Sequence, residues 1–307
     1  MAFMINQLKI FSFPKNLTTD FDGFAFLGSI NISTWNFTES VVILDFTGNE
    51  FFDPNLCSPL GCLIDDLSLR KNSVLFSGIN DETEKLFKRN GFYGYVSTNY
   101  QKRQQVFQET DFKIDYRKFA LADIGAFQVY IYESVFMHDD FPKMSPALKK
   151  EINRSILEIF NNAHTHGKCD YIHTCGYYSR RDKVLNFTMS DMGVTIRKNV
   201  NNYFKRGNKI SGISAISWAV EQGNTTKKVE DNIPGGLGFS LIRDFLKLNK
   251  GSLQIVSSDG YWQEADIKIT ERAMETRILG TIVNLRFNLN DSNLYILAKE
   301  LESTLTQ

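Results

Sequence analysis

The sequence predicts an α+β fold on three observations. Helices group between runs of antiparallel strands, the polar turn "SRRD" joins two strands like a hairpin, and the pattern changes near residues 93–125. The arrangement expected is a two-layer α/β sandwich over 127–290, preceded by a smaller βαβα unit over 1–112, with a linker at 113–126 and a helical tail at 291–307.

The N-terminal unit reads as a buried strand "VVILDF" (41–46), a helix "SPLGCLIDDLSLR" (58–70), a strand "SVLFSG" (73–78) and a helix within "NDETEKLFKRNGF". Ser58 as N-cap with Pro59 at the first helical position is a start signal, and Gly91 is a stop signal. The C-terminal part opens with a strand "FQVYIYESVF", then a long helix started by Ser145-Pro146 and closed by Gly167. The strands "YIHTCGYY" and "KVLNFTMSD" follow, then polar helical pieces over 196–222, a loop, a helix "LGFSLIRDFLKLN" and strands "GSLQIVSS", "QEADIKIT" and "LGTIVNLRFNL". The tail "SNLYILAKELESTL" reads as a short helix.

At 307 residues, 42% hydrophobic and 23% charged, the chain has an ordinary globular composition, and 35 basic residues balance 35 acidic ones. A net charge of zero supplies no global attraction to nucleic acid or an anionic membrane, so a charged ligand must be met locally. The N-terminus lacks a signal-peptide pattern, and no apolar run approaches the ~18 residues of a membrane span, so a cytoplasmic location is expected. Four cysteines are too few for a disulfide framework. Cys169, His173 and Cys175 share a strand face, where a partly buried strand is a better reading than a metal site.

Three patterns carry chemistry. On the helix around "ILEIFNNAHTHG", residues placed at intervals of about 100° put Ile152, Ile156, Ile159, Phe160 and Ala163 on one apolar stripe. Ser155, Glu158, Asn162 and Thr165 border it, with Glu158 and Asn162 one turn apart, while Asn161 points elsewhere. In "FTMSDMGVTI" a strand ends in Asp191, which accepts hydrogen bonds and can read an amino group, while Gly193 lets backbone approach a flat ring. In "IPGGLGFSLIRDFLKL", Gly235, Gly236, Leu237 and Gly238 open a helix whose N–H groups and dipole favour an anion such as phosphate. Taken singly, the first two read more readily as ordinary structure, a polar helix edge and a strand-ending turn, and the third equally as a glycine-rich helix start.

Their order adds information: E-x-x-x-N on a helix, D-x-G after a strand, a long polar segment, G-G-x-G before a helix, then Gly280-Thr281 opening a last strand. From about Phe127 to Leu289 this resembles the GHKL (Bergerat) superfamily of ATP-binding domains, which includes histidine kinases, anti-sigma-factor serine kinases, gyrase B and MutL. "EIFNNAHTHG" resembles the N box, "SDMGVTI" the first glycine box, "PGGLGFSLIRDFLKLNKGSLQI" the second, and "GTIVNLRF" the closing strand.

The resemblance implies ATP and Mg²⁺ as ligands. Glu158 is then the general base or water-orienting carboxylate, Asn162 the Mg²⁺ ligand, Asp191 the acceptor for the adenine amino group, and Thr281 its support. Gly193, Gly235, Gly236, Leu237 and Gly238 would line the nucleotide. The stretch Arg197–Pro234, with Lys198, Lys205, Arg206, Lys209, Lys227 and Lys228, resembles the family's mobile ATP lid. Two positions depart from the pattern: Thr195 replaces the second glycine of D-x-G-x-G, and Pro234 stands near the first glycine of the second box.

Residues 1–112 resemble a STAS-like domain, a partner or phosphorylation target of the serine-kinase branch. The acceptor hydroxyl usual after the aspartate is missing, because Asp53 is followed by Pro54 and Asn55. Ser58 is the nearby hydroxyl. The functional expectation is an ATP hydrolase or serine-kinase-like protein kinase with a regulatory module. The alternative is a nucleotide-gated interaction protein with little turnover. Partners expected are ATP and ADP, a protein met through the STAS-like unit or the lid, or a second copy of the chain; membrane and nucleic acid are not expected.

Overall fold

A computed structural model describes residues 6–97, 113–205, 209–221, 223, 224, 226 and 238–305. The fold is mixed α/β. The N-terminal unit runs β1 (Leu8–Ser12), β2 (Asn16–Leu17), α1 (Phe21–Ser33), β3 (Val41–Asp45), β4 (Phe51–Phe52), α2 (Cys57–Leu69), β5 (Ser73–Ser77), α3 (Asp81–Arg89) and α4 (Phe92–Ser97). β1, β3 and β5 form a parallel sheet in that order. In its interior Phe13, Phe46, Phe52, Phe76 and Phe87 stack, tilt or meet edge-on in one cluster.

The remainder runs β6 (Lys113–Ala120), α5 (Ile124–Ile131), β7 (Lys143–Met144), α6 (Pro146–Thr165), β8 (Tyr171–Ser179), β9 (Val184–Asp191), α7 (Ile196–Phe204), α8 (Gly212–Val220), α9 (Gly238–Leu248), β10 (Ser252–Ala265), β11 (Lys268–Asn288), β12 (Leu294–Tyr295) and α10 (Ala298–Leu305). Its five-stranded sheet is antiparallel throughout, in the order β10-β11-β9-β8-β6. Among the described residues no helix is long and apolar enough to cross a membrane.

Helices cover both faces of this sheet. On one side Leu185, Phe187 and Met189 of β9 pack into a core with Ile152, Ile156 and Phe160 of α6 and Ile242 and Phe245 of α9. On the other, Leu60, Leu63 and Leu67 of α2 and Phe24 and Leu27 of α1 share a core with Val256, Met274 and Ile282. The N-terminal unit expected to precede the sandwich packs against the second face of its sheet. α1 and α2 lie between two sheets, and α2 is buried from Cys57 to Ile64.

Polar bonds cross this junction. Ser58 Oγ donates to His173 O and meets Ser190 Oγ, both at 2.8 Å. Asn284 Oδ1 accepts from Asn55 Nδ2 at 3.1 Å and Thr188 Oγ1 at 2.8 Å, and Gln254 Nε2 donates to Thr19 O at 3.1 Å. Small hydrogen-bonding side chains thus pair across the layers, although the buried Asn55 Oδ1 and Thr19 Oγ1 have no partner among the described residues.

Several local expectations change. The 113–126 linker is mostly strand β6, paired with β8. Residues 127–136 are α5 and a following π-helical turn, not a strand. Their buried positions, Phe127, Tyr130, Ile131, Val135 and Phe136, follow a spacing of three and four, which β-branched and aromatic composition obscured. "QEADIKIT" straddles the tip of the β10–β11 hairpin, where Asp266 is left-handed at φ 56°. The tail includes β12, parallel to β7, ahead of its helix.

Ser58 is not an N-cap. A 3₁₀ turn at Pro54–Leu56 leads into α2, and Asp53 caps it by accepting from Asn55 N at 3.2 Å. The fully buried Ser58 hydroxyl is sealed between the sheets. Peptide mass spectrometry of folded protein incubated with Mg·ATP should find Ser58 unmodified. Ser58→Ala should lower the urea-unfolding free energy by about 1 kcal/mol through its lost bonds; phosphate on Ser58 would contradict this packing.

Candidate functional site

Ser145 accepts from Leu148 N at 3.1 Å and starts α6 with Pro146, as the sequence predicts. Phe127 stacks on Phe160 at 4.1 Å, helping to anchor the helix. Glu158 and Asn162 emerge at the border of its apolar stripe and line a cleft of about 940 Å³, which also takes Asp191 from β9 and Thr281 from β11. Neither side chain, Glu158 nor Asn162, has a hydrogen-bond or ion-pair partner among the described residues. Their oxygens are available to a ligand. Asn161 does not line the cleft, Ser155 is buried and bonds Glu151 O at 3.1 Å, and Thr165 bonds Asn161 O at 3.0 Å.

The end of α6 and the end of β9 are joined through backbone. Val194 N donates to Gly167 O at 2.5 Å, and a side-chain carbon on Gly193 would stand 2.2 Å from that same oxygen. Only glycine fits there. Gly280 is left-handed at φ 54°, and a side-chain carbon on it would meet Asp191 Oδ1 at 2.3 Å. These two contacts seat the Asp191 carboxyl, whose Oδ1 accepts from Gly193 N at 2.7 Å.

Asp191 is buried, and burial pushes its carboxyl up to about 7 against the lowering effect of the Gly193 and Thr281 N–H groups. The cleft wall beside it is apolar, with Ile172, Met189 and Val283. One end of the cleft therefore presents an acceptor beside a greasy slot, suited to a flat ring with an amino group. The other presents hard oxygens.

Several contributors escaped the motif reading. Ser257 Oγ donates to Gly280 O at 2.7 Å, accepts from Ile196 N at 3.0 Å and lies 3.1 Å from Thr281 Oγ1, tying β10, β11 and α7 together. Asn199 Nδ2 donates to His166 O at 2.8 Å, and Asn199, His166 and Trp218 line the cleft. A serine in an alternating strand gives no signal of such a role.

The segment expected as a mobile lid is largely packed helix over its described part. Arg197 donates to Asp259 Oδ2 at 2.8 Å and Ile210 O at 3.1 Å, while Val200, Ala215, Ile216 and Val220 are buried. Lys198, Lys205 and Lys209 are exposed. Thr195 has φ −65° and caps α7 by accepting from Lys198 N, so this position does not need glycine. Gly238 begins α9 and Phe239 reaches the cleft; Gly235, Gly236, Leu237, Pro234, Arg206, Lys227 and Lys228 lie outside the described residues.

The cysteine–histidine strand face does not assemble. Cys169 packs on the α6 side, whereas Cys175 belongs to the opposite core. His173 Nδ1 meets Tyr116 Oη at 2.6 Å, and its Nε2 lies 3.2 Å from Asp65 Oδ2, a close contact off the line of a good hydrogen bond. Among the described residues, no group of three or more His, Cys, Asp and Glu is disposed to hold a metal. No family model matches the chain, and no curated protein matches it.

The buried carboxyl makes a signed prediction. Unfolded, it ionises near pH 4; folded, near 7. Between those values the unfolded chain has released a proton that the folded chain keeps, so Asp191 lowers stability as pH rises through the window and adds no further change above it. The full cost is on the order of 4 kcal/mol. Asp191→Asn keeps an oxygen for both N–H donors and should raise the urea midpoint, by more at pH 8 than at pH 5. A variant less stable than wild type at pH 8 would contradict this.

Proposed function

We propose that the chain binds Mg·ATP as a member of the GHKL superfamily, with residues 127–290 as a Bergerat-type ATP-binding domain and residues 1–112 as a STAS-like module. The observation that carries this reading is that Glu158, Asn162, Asp191 and Thr281, from three separated motifs, line one cleft. Adenine enters the apolar slot with its amino group donating to Asp191. The ionised carboxylate is the stronger acceptor and, unlike the protonated form, presents no O–H to the base, so nucleotide affinity rises as pH climbs through about 7.

The phosphate end fits Mg²⁺ in the chemistry of its donors. Asn162 supplies one hard oxygen, and a magnesium site that keeps waters and phosphate oxygens needs few protein ligands. When bound, the ion neutralises phosphate charge. Glu158, without a partner among the described residues and one turn before Asn162, is placed to orient and deprotonate the attacking hydroxyl. The reaction is then ATP hydrolysis or transfer to a serine-type acceptor.

A second reading, a nucleotide-gated switch with little turnover, is favoured by one specific contact. Asp191 also borders a narrow crevice against Pro59, Cys62 and Leu63 of α2. A ligand on Asp191 therefore touches the residue that borders the N-terminal unit.

Calorimetric titration with Mg·ATP and Mg·ADP, alongside phosphate release, separates the readings. Wild type should bind below millimolar. Glu158→Ala should keep that affinity and lose about 10²–10⁴-fold in turnover, while Asn162→Ala should weaken Mg·ATP binding. Tight binding by wild type with no release or transfer would leave the switch reading, and no binding would end both.

A further inference from the structure

Glu158 borders a second cleft, of about 1030 Å³, between α6, α9 and the start of α10. Glu151, Arg154 and Glu158 line it from α6, Ser240 and Asp244 from α9, and Lys299 from α10. Its third wall is fixed to the fold. Glu300 Oε2 accepts from Ser145 Oγ at 2.7 Å and from Leu297 N at 2.8 Å, Leu294–Tyr295 pairs with Lys143–Met144, and Tyr295 packs edge-on against Phe245.

The two clefts meet at one carboxylate. A group passing from the Asn162 side to a molecule in the second cleft passes Glu158. From Glu158 back to Glu151 the α6 wall runs about 10 Å, the length of roughly three extended residues. Charge along the walls is uneven. Arg154 pairs with Glu151 at 3.3 Å, whereas Asp244 is exposed and has no ion-pair partner among the described residues. Asp244 lies one helical turn beyond Ser240, about 6 Å along α9, which two extended residues span.

We propose that the second cleft receives the phosphoryl acceptor: a serine or threonine hydroxyl on an extended polypeptide segment with a lysine or arginine close by in the segment, the cation being selected by Asp244. This rests on the nucleotide reading above. The acceptor oxygen forms a bond to the γ-phosphorus as the bond from that phosphorus to the β–γ bridging oxygen breaks. The electron pair leaves with ADP, and the hydroxyl proton goes to the Glu158 carboxylate. Lys299 stands on the opposite wall, so selection depends on where the charge sits and not on the net charge of the segment.

The test uses two fluorescein-labelled peptides, each with a central serine, carrying either arginine or glutamate at both second-neighbour positions. Anisotropy with the full chain saturated in Mg·ADP should show the arginine peptide binding about fivefold tighter or more, and phosphoryl transfer from Mg·ATP should follow the same preference. Asp244→Arg should reverse the preference while leaving Mg·ADP affinity unchanged, which also reports that the variant is folded. Equal binding of the two peptides, or an Asp244→Arg protein with wild-type preference, overturns the proposal even if nucleotide binds. Absence of nucleotide binding by wild type overturns the nucleotide reading and this inference with it.

Discussion

The constraint behind this structure is that β9 sits at the centre of a five-stranded sheet with all eight of its residues buried. A strand with no wet face needs a cover on each side. α6 and α9 supply one and carry the candidate site; α1 and α2 supply the other. The strand ends in Asp191, whose carboxyl inherits that desolvation and so rises to about 7. Fold, domain docking and the chemistry of the cleft therefore descend from one buried strand.

The same strand explains what was and was not legible in the sequence. "VLNFTMSD" alternates apolar with polar, the signature of a sheet with one solvated face. Here Asn186, Thr188 and Ser190 are buried, and Thr188 and Ser190 are satisfied by Asn284 and Ser58. Alternation reports which residues pair with apolar neighbours; it does not distinguish water from a hydrogen-bonding protein surface. For that reason the N-terminal unit reads as separate in sequence and is docked in space. The helix carrying Glu158 and Asn162 was legible because a serine cap, a proline and a 3.6-residue stripe all agree over twenty residues. Ser257 and Trp218 were not, since each acts through partners far away in the chain.

In the described part of the segment expected as a lid, α7 and α8 are packed, held by Arg197 and by the aromatic contacts of Tyr203, Phe204 and Trp218. The C-terminal tail likewise becomes a wall, because β12 joins β7 and Glu300 bonds the cap of α6. Both findings enclose the Glu158–Asn162 edge within defined surfaces. They make the site a matter of preformed geometry around two carboxylates, one buried and one without a partner among the described residues.

The most direct measurement compares Mg·ATP with Mg·ITP by calorimetry at pH 8, for wild type and for Asp191→Asn. The inosine base carries an oxygen where adenine carries its amino group, so a buried acceptor carboxylate should favour ATP by about tenfold or more, and the preference should collapse in the variant. Equal affinities in wild type, or a preference that survives in Asp191→Asn, would contradict the assignment of Asp191 as the reader of the base.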